Sequence, residues 1–234
     1  MDVKAIVQGF CRAQGLPVPT GVASSPDPQV AQIGELLQEF LDDLLTRKFW
    51  QVATVEGHAT ATGAEELATI DPNQVLGIVP GTMFDRTTGT RILGSMEASD
   101  WQARKAVNAT GPFYQFYLRG NKLLTSPAIP TGHEVYWEYQ SPRFVVAVDG
   151  TTFKQYWTLD TDSFRCNDSL PKLWLRWRWK SQKGLEYAEE FRQYENLVTT
   201  FTLKQDAPRI VDLTGCGKSM RPGIIVPEGN WPLP

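Results

Sequence analysis

Three short stretches of this chain carry residue types at spacings that chemistry uses. Gly215-Cys216-Gly217-Lys218-Ser219 has the ending of a phosphate-binding loop. Such a loop needs another glycine five residues before Gly217, where Asp212 stands, and a helix after the serine whose amides hold the phosphates. Met220-Arg221-Pro222-Gly223 follows instead and cannot open a long helix, so nucleotide binding is not expected. Asp160-Thr161-Asp162 begins like a calcium loop, but Phe164 and Pro171 occupy the fifth and twelfth positions, where oxygen ligands are required. Those acids, with Asn167 and Asp168, are expected to turn and cap the chain ahead of a helix. His58 and His133 lack zinc-binding spacing, and no GxSxG nucleophile elbow occurs. The expectation is a non-enzyme with no catalytic residue, metal ligand or cofactor.

One electrostatic feature stands out. Lys172, Arg176, Lys180 and Lys183 recur at helical spacing and form a basic stripe. One reading is a solvated face paired with Glu186, Glu189 and Glu190. The other is a surface lining a channel that carries DNA, where repetition around a ring multiplies a weak patch.

The elements that must position these residues follow from periodicity and punctuation. Asp2 is placed to cap a helix whose face is Val3, Ile6, Val7 and Phe10, ended by Gly15-Leu16-Pro17. Asp27-Pro28 opens a second helix with an apolar stripe from Val30 through Ile33, Leu37, Phe40 and Leu41 to Leu44, running to about Lys48. Residues 49–62 alternate and predict a strand. Thr88-Gly89 predicts a turn between Met83-Phe84 and Ile92-Leu93, and Ser99 with Gln102 a capping box opening a helix over 100–108. A hairpin is predicted from Phe113–Leu118 through Gly120-Asn121 to Lys122–Thr125, with further strands at Val135–Tyr139 and Phe144–Val148. Past Asp168 the helical period returns, with Leu170, Leu173, Trp174 and Trp177 on one face. Gly184 interrupts it, and a long helix follows with Tyr187, Phe191, Tyr194, Val198 and Phe201. The fold class expected is α+β: a helical-bundle core (1–48 and 167–205), an inserted β-rich module (49–166) and an extended C-terminal arm (206–234).

The arm is set apart by composition. Residues 206–234 hold five prolines and four glycines around Ile224-Ile225-Val226 and a closing Trp231-Pro232-Leu233-Pro234. That is too apolar for a solvated tail and too rich in proline for a helix or central strand. It is read as an extended segment laid over another surface, with a wrap around the chain's own core as the alternative.

Bulk properties bound the function. The 234 residues carry 41% hydrophobic and 21% charged residues, enough apolar content for a packed core. A net charge of −3 argues against a generally basic nucleic-acid coat. Three dispersed cysteines (Cys11, Cys166, Cys216) do not suggest a disulfide framework. The start reads unlike a signal peptide and no run approaches about 18 apolar residues, so a product made in a reducing cytoplasm and no membrane span are expected. Eight tryptophans are many for this length, and some are expected in subunit interfaces as well as the core.

The order of features resembles the head-to-tail adaptors of tailed bacteriophages, also called connector or head completion proteins. The likeness runs from Leu45-Thr46-Arg47-Lys48-Phe49-Trp50 through Gly94-Ser95-Met96-Glu97, Ser99-Asp100-Trp101 and Phe116–Leu123 to Ser126-Pro127, Pro130-Thr131-Gly132 and Glu138-Tyr139. It is densest over Asp160-Thr161-Asp162, Leu173–Lys180 and Gly184–Glu190. The resemblance implies a structural virion protein that assembles as a ring, usually of twelve copies, under the portal protein, and joins capsid to tail. It implies a tail nozzle or tube protein as a further partner, a location in the virion neck, contact with genomic DNA during ejection, and no catalytic residues. Gly215–Pro234 match the extension that such proteins use to reach a portal or neighbouring subunit, with Ile224, Ile225, Val226, Trp231 and Leu233 as partner-binding residues. A ligand- or carbohydrate-binding β module of a phage tail, using aromatic strands Phe113–Tyr117 and Tyr136–Tyr139, is the alternative.

Overall fold

The computed structural model describes residues 1–107 and 113–205. Over these the chain is mixed α and β, with five α-helices and three small antiparallel sheets. No helix among the described residues is long and apolar enough to cross a membrane.

Helix α1 (Val3–Gln14) shows how completely a helix start is satisfied here. The amides of Val3, Lys4 and Ala5 have no partner within the helix. Val3 N–H donates to the Asp162 carbonyl (2.8 Å), Lys4 N–H to the Asp160 carbonyl (3.1 Å) and Ala5 N–H to the Asp2 carboxylate (2.9 Å), before Ile6 N–H makes the first bond of the helix itself to the Asp2 carbonyl (3.1 Å). At the other end Gly15 adopts φ 67°, and Leu16 N–H reaches back to Cys11 O (2.9 Å), closing the last turn. Helix α2 (Pro28–Arg47) is capped by the Asp27 carboxylate on Gln29 N–H (2.9 Å). Both starts agree with the sequence reading.

Strands β1 (Thr54–Thr60), β8 (Glu134–Gln140), β4 (Phe84–Asp85) and β5 (Thr90–Arg91) form one sheet in that order, and β3 (Gly77–Ile78) also pairs with β8. Its register runs from Thr54 opposite Gln140 to Thr60 opposite Glu134. A second sheet joins β2 (Glu66–Thr69), β7 (Lys122–Ser126) and β6 (Gln115–Arg119), the predicted hairpin with Gly120 at its turn. The third joins β10 (Phe153–Lys154), β9 (Val145–Val146) and β11 (Ser163–Phe164). Helix α3 (Ala98–Val107) lies between β5 and β6 in sequence. Helices α4 (Ser169–Gln182) and α5 (Ala188–Gln205) close the described chain.

Two predicted starts are corrected. Helix α3 begins at Ala98, so Ser99 is already helical and the Ser99/Gln102 pair is no capping box. The strand expected over 49–62 holds only from Thr54, because a 3-10 turn (Gln51–Ala53) precedes it. The cause is Trp50, which is fully buried, donating its indole N–H to Leu44 O (2.6 Å) and its backbone N–H to Gln140 Oε1 (2.7 Å).

Buried side chains divide into two clusters. The larger takes residues from α1, α2, α4 and α5 together with Trp50, Phe144, Val145, Trp157 and Phe164. The smaller holds Leu67, Ile78, Met83, Ile92, Phe116, Leu123, Ile129, Val135 and Trp137. Residues 49–166 therefore contribute to both: the third sheet packs with the helices and the other two around the smaller cluster. Gln140, itself buried, sits at the seam through its bond to Trp50.

Glycine is required where Trp137 crosses β1. Gly57 is opposite Trp137, and a Cβ there would stand 2.8 Å from the indole ring. Replacing Gly57 with alanine is expected to lower unfolding stability by about 1–3 kcal/mol through overpacking, read from denaturant midpoints. A neutral result would mean that Trp137 is free to move aside.

Candidate functional site

Helix α4 is enclosed on three sides by tryptophan. Trp174 donates its indole N–H to Leu36 O on α2 (2.8 Å) and meets Phe40. Trp177 lies edge-on to Phe191 of α5, with ring centres 5.1 Å apart. Trp179 meets Phe10 of α1 at 5.7 Å. Leu175 and Trp179 give α4 a second buried side beyond the single face expected from Leu170, Leu173, Trp174 and Trp177. What remains open is the basic stripe.

The structure keeps the four cations on that open side but does not leave them equivalent. Lys180 is paired with Glu190, whose carboxyl is held below its usual range chiefly by that lysine. The Lys183 ammonium lies 4.6 Å from the Trp179 ring centre. Lys172 and Arg176 have no ion-pair partner among the described residues. Of the acids expected beside the stripe, Glu190 takes Lys180 and Glu189 takes Arg192 (2.8 Å).

A polar lattice ties α2 to α5. Arg47 contacts Asp43 (2.7 Å) and Glu195 (2.8 Å), and the Tyr194 hydroxyl donates to Asp43 (3.1 Å). Burial, then the neighbouring Asp43 charge, pushes the Tyr194 phenol well above its ordinary value, so it stays a donor.

The acids of Asp160-Thr161-Asp162 do structural work. Asp160 accepts from Val22 N–H (3.0 Å) and Ala23 N–H (2.8 Å). Asp162, fully buried, accepts from Thr158 N–H (2.8 Å) and Leu159 N–H (3.0 Å) and pairs with Lys154 (3.0 Å). The capping expected of these acids is delivered to α1 through their carbonyls. At α4, Asn167 Oδ1 accepts from Ser169 N–H (2.9 Å), while Asp168 makes no side-chain cap and meets the N-terminal amine (3.2 Å).

The histidines are separated. His133 Nδ1 is 2.7 Å from the buried Asp85 carboxylate, which also accepts from Thr87 N–H (2.9 Å) and Thr88 Oγ1 (2.7 Å). Among the described residues no nucleophile is hydrogen-bonded to the other ring nitrogen of His133, so the pair clasps the β4–β5 turn to the loop before β8. His58 stacks on Tyr136 (5.6 Å). Among the described residues no group of three or more His, Cys, Asp or Glu could hold a metal ion.

Of the aromatic stretches, Phe113 is exposed, but the other rings are largely covered. Phe116 and Trp137 are buried, Tyr117 stacks on Trp101 (5.2 Å), and the Arg86 guanidinium covers Tyr136 (3.7 Å). All seven described tryptophans are buried within this one chain, the most exposed at 9%, while Trp231 lies outside the described residues. Exposed large apolar groups are other residues, among them Phe49, Phe113, Leu185, Tyr187, Phe191 and Leu203.

A cluster that the sequence reading missed lies at the corner between α4 and α5. Leu185, Tyr187 and Phe191 are 55%, 40% and 38% exposed, the last two against Trp177. Tyr187 and Phe191 follow the spacing of the buried stripe of α5, so periodicity assigns them inward. Only Tyr194 and Val198 of α5 are buried, because α5 packs along one side and its first turn is only partly covered, by Trp177 and Lys180. Ile224, Ile225, Val226, Trp231 and Leu233 lie outside the described residues.

No protein-family model matches the chain, and comparison with curated proteins finds no match.

Acid stability reads the two buried carboxylates. Burial alone would raise both carboxyls. At Asp85 the bonds from Thr88, His133 and Thr87 outweigh it, and at Asp162 those from Thr158, Leu159 and Lys154 do, leaving both below the ordinary value. A depressed folded-state pKa contributes stability that is present above the unfolded value, near 3.9, and is lost as pH falls through the folded one. Stability is expected to fall as pH drops below about 4, with Asp162→Asn showing a shallower acid decline than the parent in denaturation curves. An equally steep decline in Asp162→Asn and Asp85→Asn would assign acid lability to other groups.

Proposed function

We propose that this chain is a structural subunit of the head-to-tail adaptor ring of a tailed phage, seated under the portal protein and joined to the tail. Within this reading α1, α2, α4 and α5 are the helical-bundle core and the two sheets around Trp137 an inserted module. The ordered sequence blocks supply the family. The physical observation that carries the reading is α5, an 18-residue helix with two buried residues that leads straight into a proline-rich apolar stretch. A helix so little covered by its own chain, followed by a segment too apolar for solvent, is surface set aside for contact with other chains.

The subunit is one of a homo-oligomeric ring, about twelve copies by the family resemblance, with the portal on one side and a tail nozzle or tube protein on the other. Its arm is residues 206–234, with Ile224, Ile225, Val226, Trp231 and Leu233 as anchors. Burying about 400 Å² of apolar surface is worth up to about 10 kcal/mol gross, much reduced by the cost of ordering the arm. Repetition by ring symmetry turns a small net gain per arm into a durable joint. Among the described residues Lys172 and Arg176 have no ion-pair partner to displace, and they are the stronger half of the proposed DNA-facing stripe, with Lys180 and Lys183 already engaged.

Mixed with portal rings, the intact chain is expected to form a ring complex visible by electron microscopy, whereas a variant lacking residues 215–234 stays folded and fails to dock. Undiminished docking of the truncated chain would remove the arm's role. The double variant Lys172→Ala, Arg176→Ala is expected to assemble normally and to weaken the salt dependence of duplex DNA binding by the rings. An unchanged salt slope would place the stripe away from DNA.

A further inference from the structure

We propose that the α4–α5 corner is a docking site for the chain's own C-terminal segment, residues 224–233, held in the same copy. At the corner Leu185, Tyr187 and Phe191 are exposed, the last two packed on Trp177. A covering group therefore has to be apolar. The segment Pro222-Gly223-Ile224-Ile225-Val226-Pro227 meets that need with three branched apolar side chains between prolines that disfavour a helix.

Reach is sufficient. Helix α5 carries the chain about 27 Å from the corner at 1.5 Å per residue, and 18 residues separate Gln205 from Ile224. Extended, they span up to about 60 Å, so the chain can double back along α5 with slack. Tethering favours the same copy over a neighbour, since a flexible link of this length gives an effective concentration of order millimolar.

The contact itself stands on the corner and the segment; its consequence for assembly rests on the adaptor reading. Parked on the corner, the segment hides in the free subunit the apolar surface that docking uses, and it has to leave before it can engage a larger complex.

The test is competition in the full-length chain. A fluorescent peptide of residues 220–234 is titrated into the parent and into the full-length double variant Ile225→Asp, Trp231→Ser, whose own segment is disabled. The peptide is expected to bind the double variant and to bind the parent at least about tenfold more weakly, because the site is already filled. Adding Phe191→Ser or Leu185→Ser to the double variant is expected to abolish peptide binding; two separate exposed positions guard against a folding defect in either one. Equal binding to parent and double variant, or binding to neither, overturns the proposal, as does binding that survives both corner substitutions. Segment-dependent dimers of the parent in sedimentation would overturn docking in the same copy. Ring formation with portal is scored separately, so failure of the adaptor reading leaves a distinct signature.

Discussion

Three tryptophans leave α4 in three directions, and the larger buried cluster is organised around that fact. Trp174 goes to α2, Trp177 to α5 and Trp179 to α1. Their spacing puts Trp174 and Trp177 about 60° apart on one side, ring against ring at 4.8 Å, and Trp179 on the other side of the helix. One helix thus holds three others, and it does so with the side chains that bury most area per residue. The packing also accounts for the basic strip: Lys172 and Arg176 fall on the side of α4 opposite Trp174. The charge pattern is what remains after packing has taken the other sides, so its existence alone does not assign it a ligand.

Two polar devices hold the rest in register with that cluster. The chain around Asp160 and Asp162 spends its carbonyls on the start of α1 and its carboxylates on two loops. Gln140 receives the backbone N–H of Trp50 at the end of the longest strand pairing, so the first sheet cannot slide against the helices without unmaking a buried hydrogen bond. Each device places a polar group where burial would otherwise be costly. The same logic bars these acids from chemistry of their own, since their lone pairs are already committed to holding backbone.

The helix ends were legible because their signals are local. Asp2, Gly15 and the Asp27-Pro28 pair act within a few residues of themselves, as did the hairpin at Gly120-Asn121. The two-residue strands at 77–78, 153–154 and 163–164 were not legible, since their pairing is imposed by distant partners. Ser99 misled because a capping box is only a pattern until the chain before it departs from helical geometry. Composition counts how much aromatic surface must be hidden but not where, and among the described residues the helices and sheets of one chain bury seven tryptophans. At the corner, period predicts inward for Tyr187 and Phe191, yet inward has meaning only where a second layer exists.

That last point decides what kind of surface this protein presents. All seven tryptophans among the described residues are buried, so the exposed apolar surface there is made of Leu, Phe, Tyr and Val that are only partly covered. Half-covered groups bind weakly one at a time. They leave a free subunit manageable in water and become effective when many copies act together or when a tethered segment raises the local concentration. Helix α5 is built this way along its length, with one narrow buried stripe and an apolar corner at its start. Energy withheld from the fold of the single chain is available to contacts beyond it, and the apolar sequence that follows Gln205 is the nearest source of such a contact.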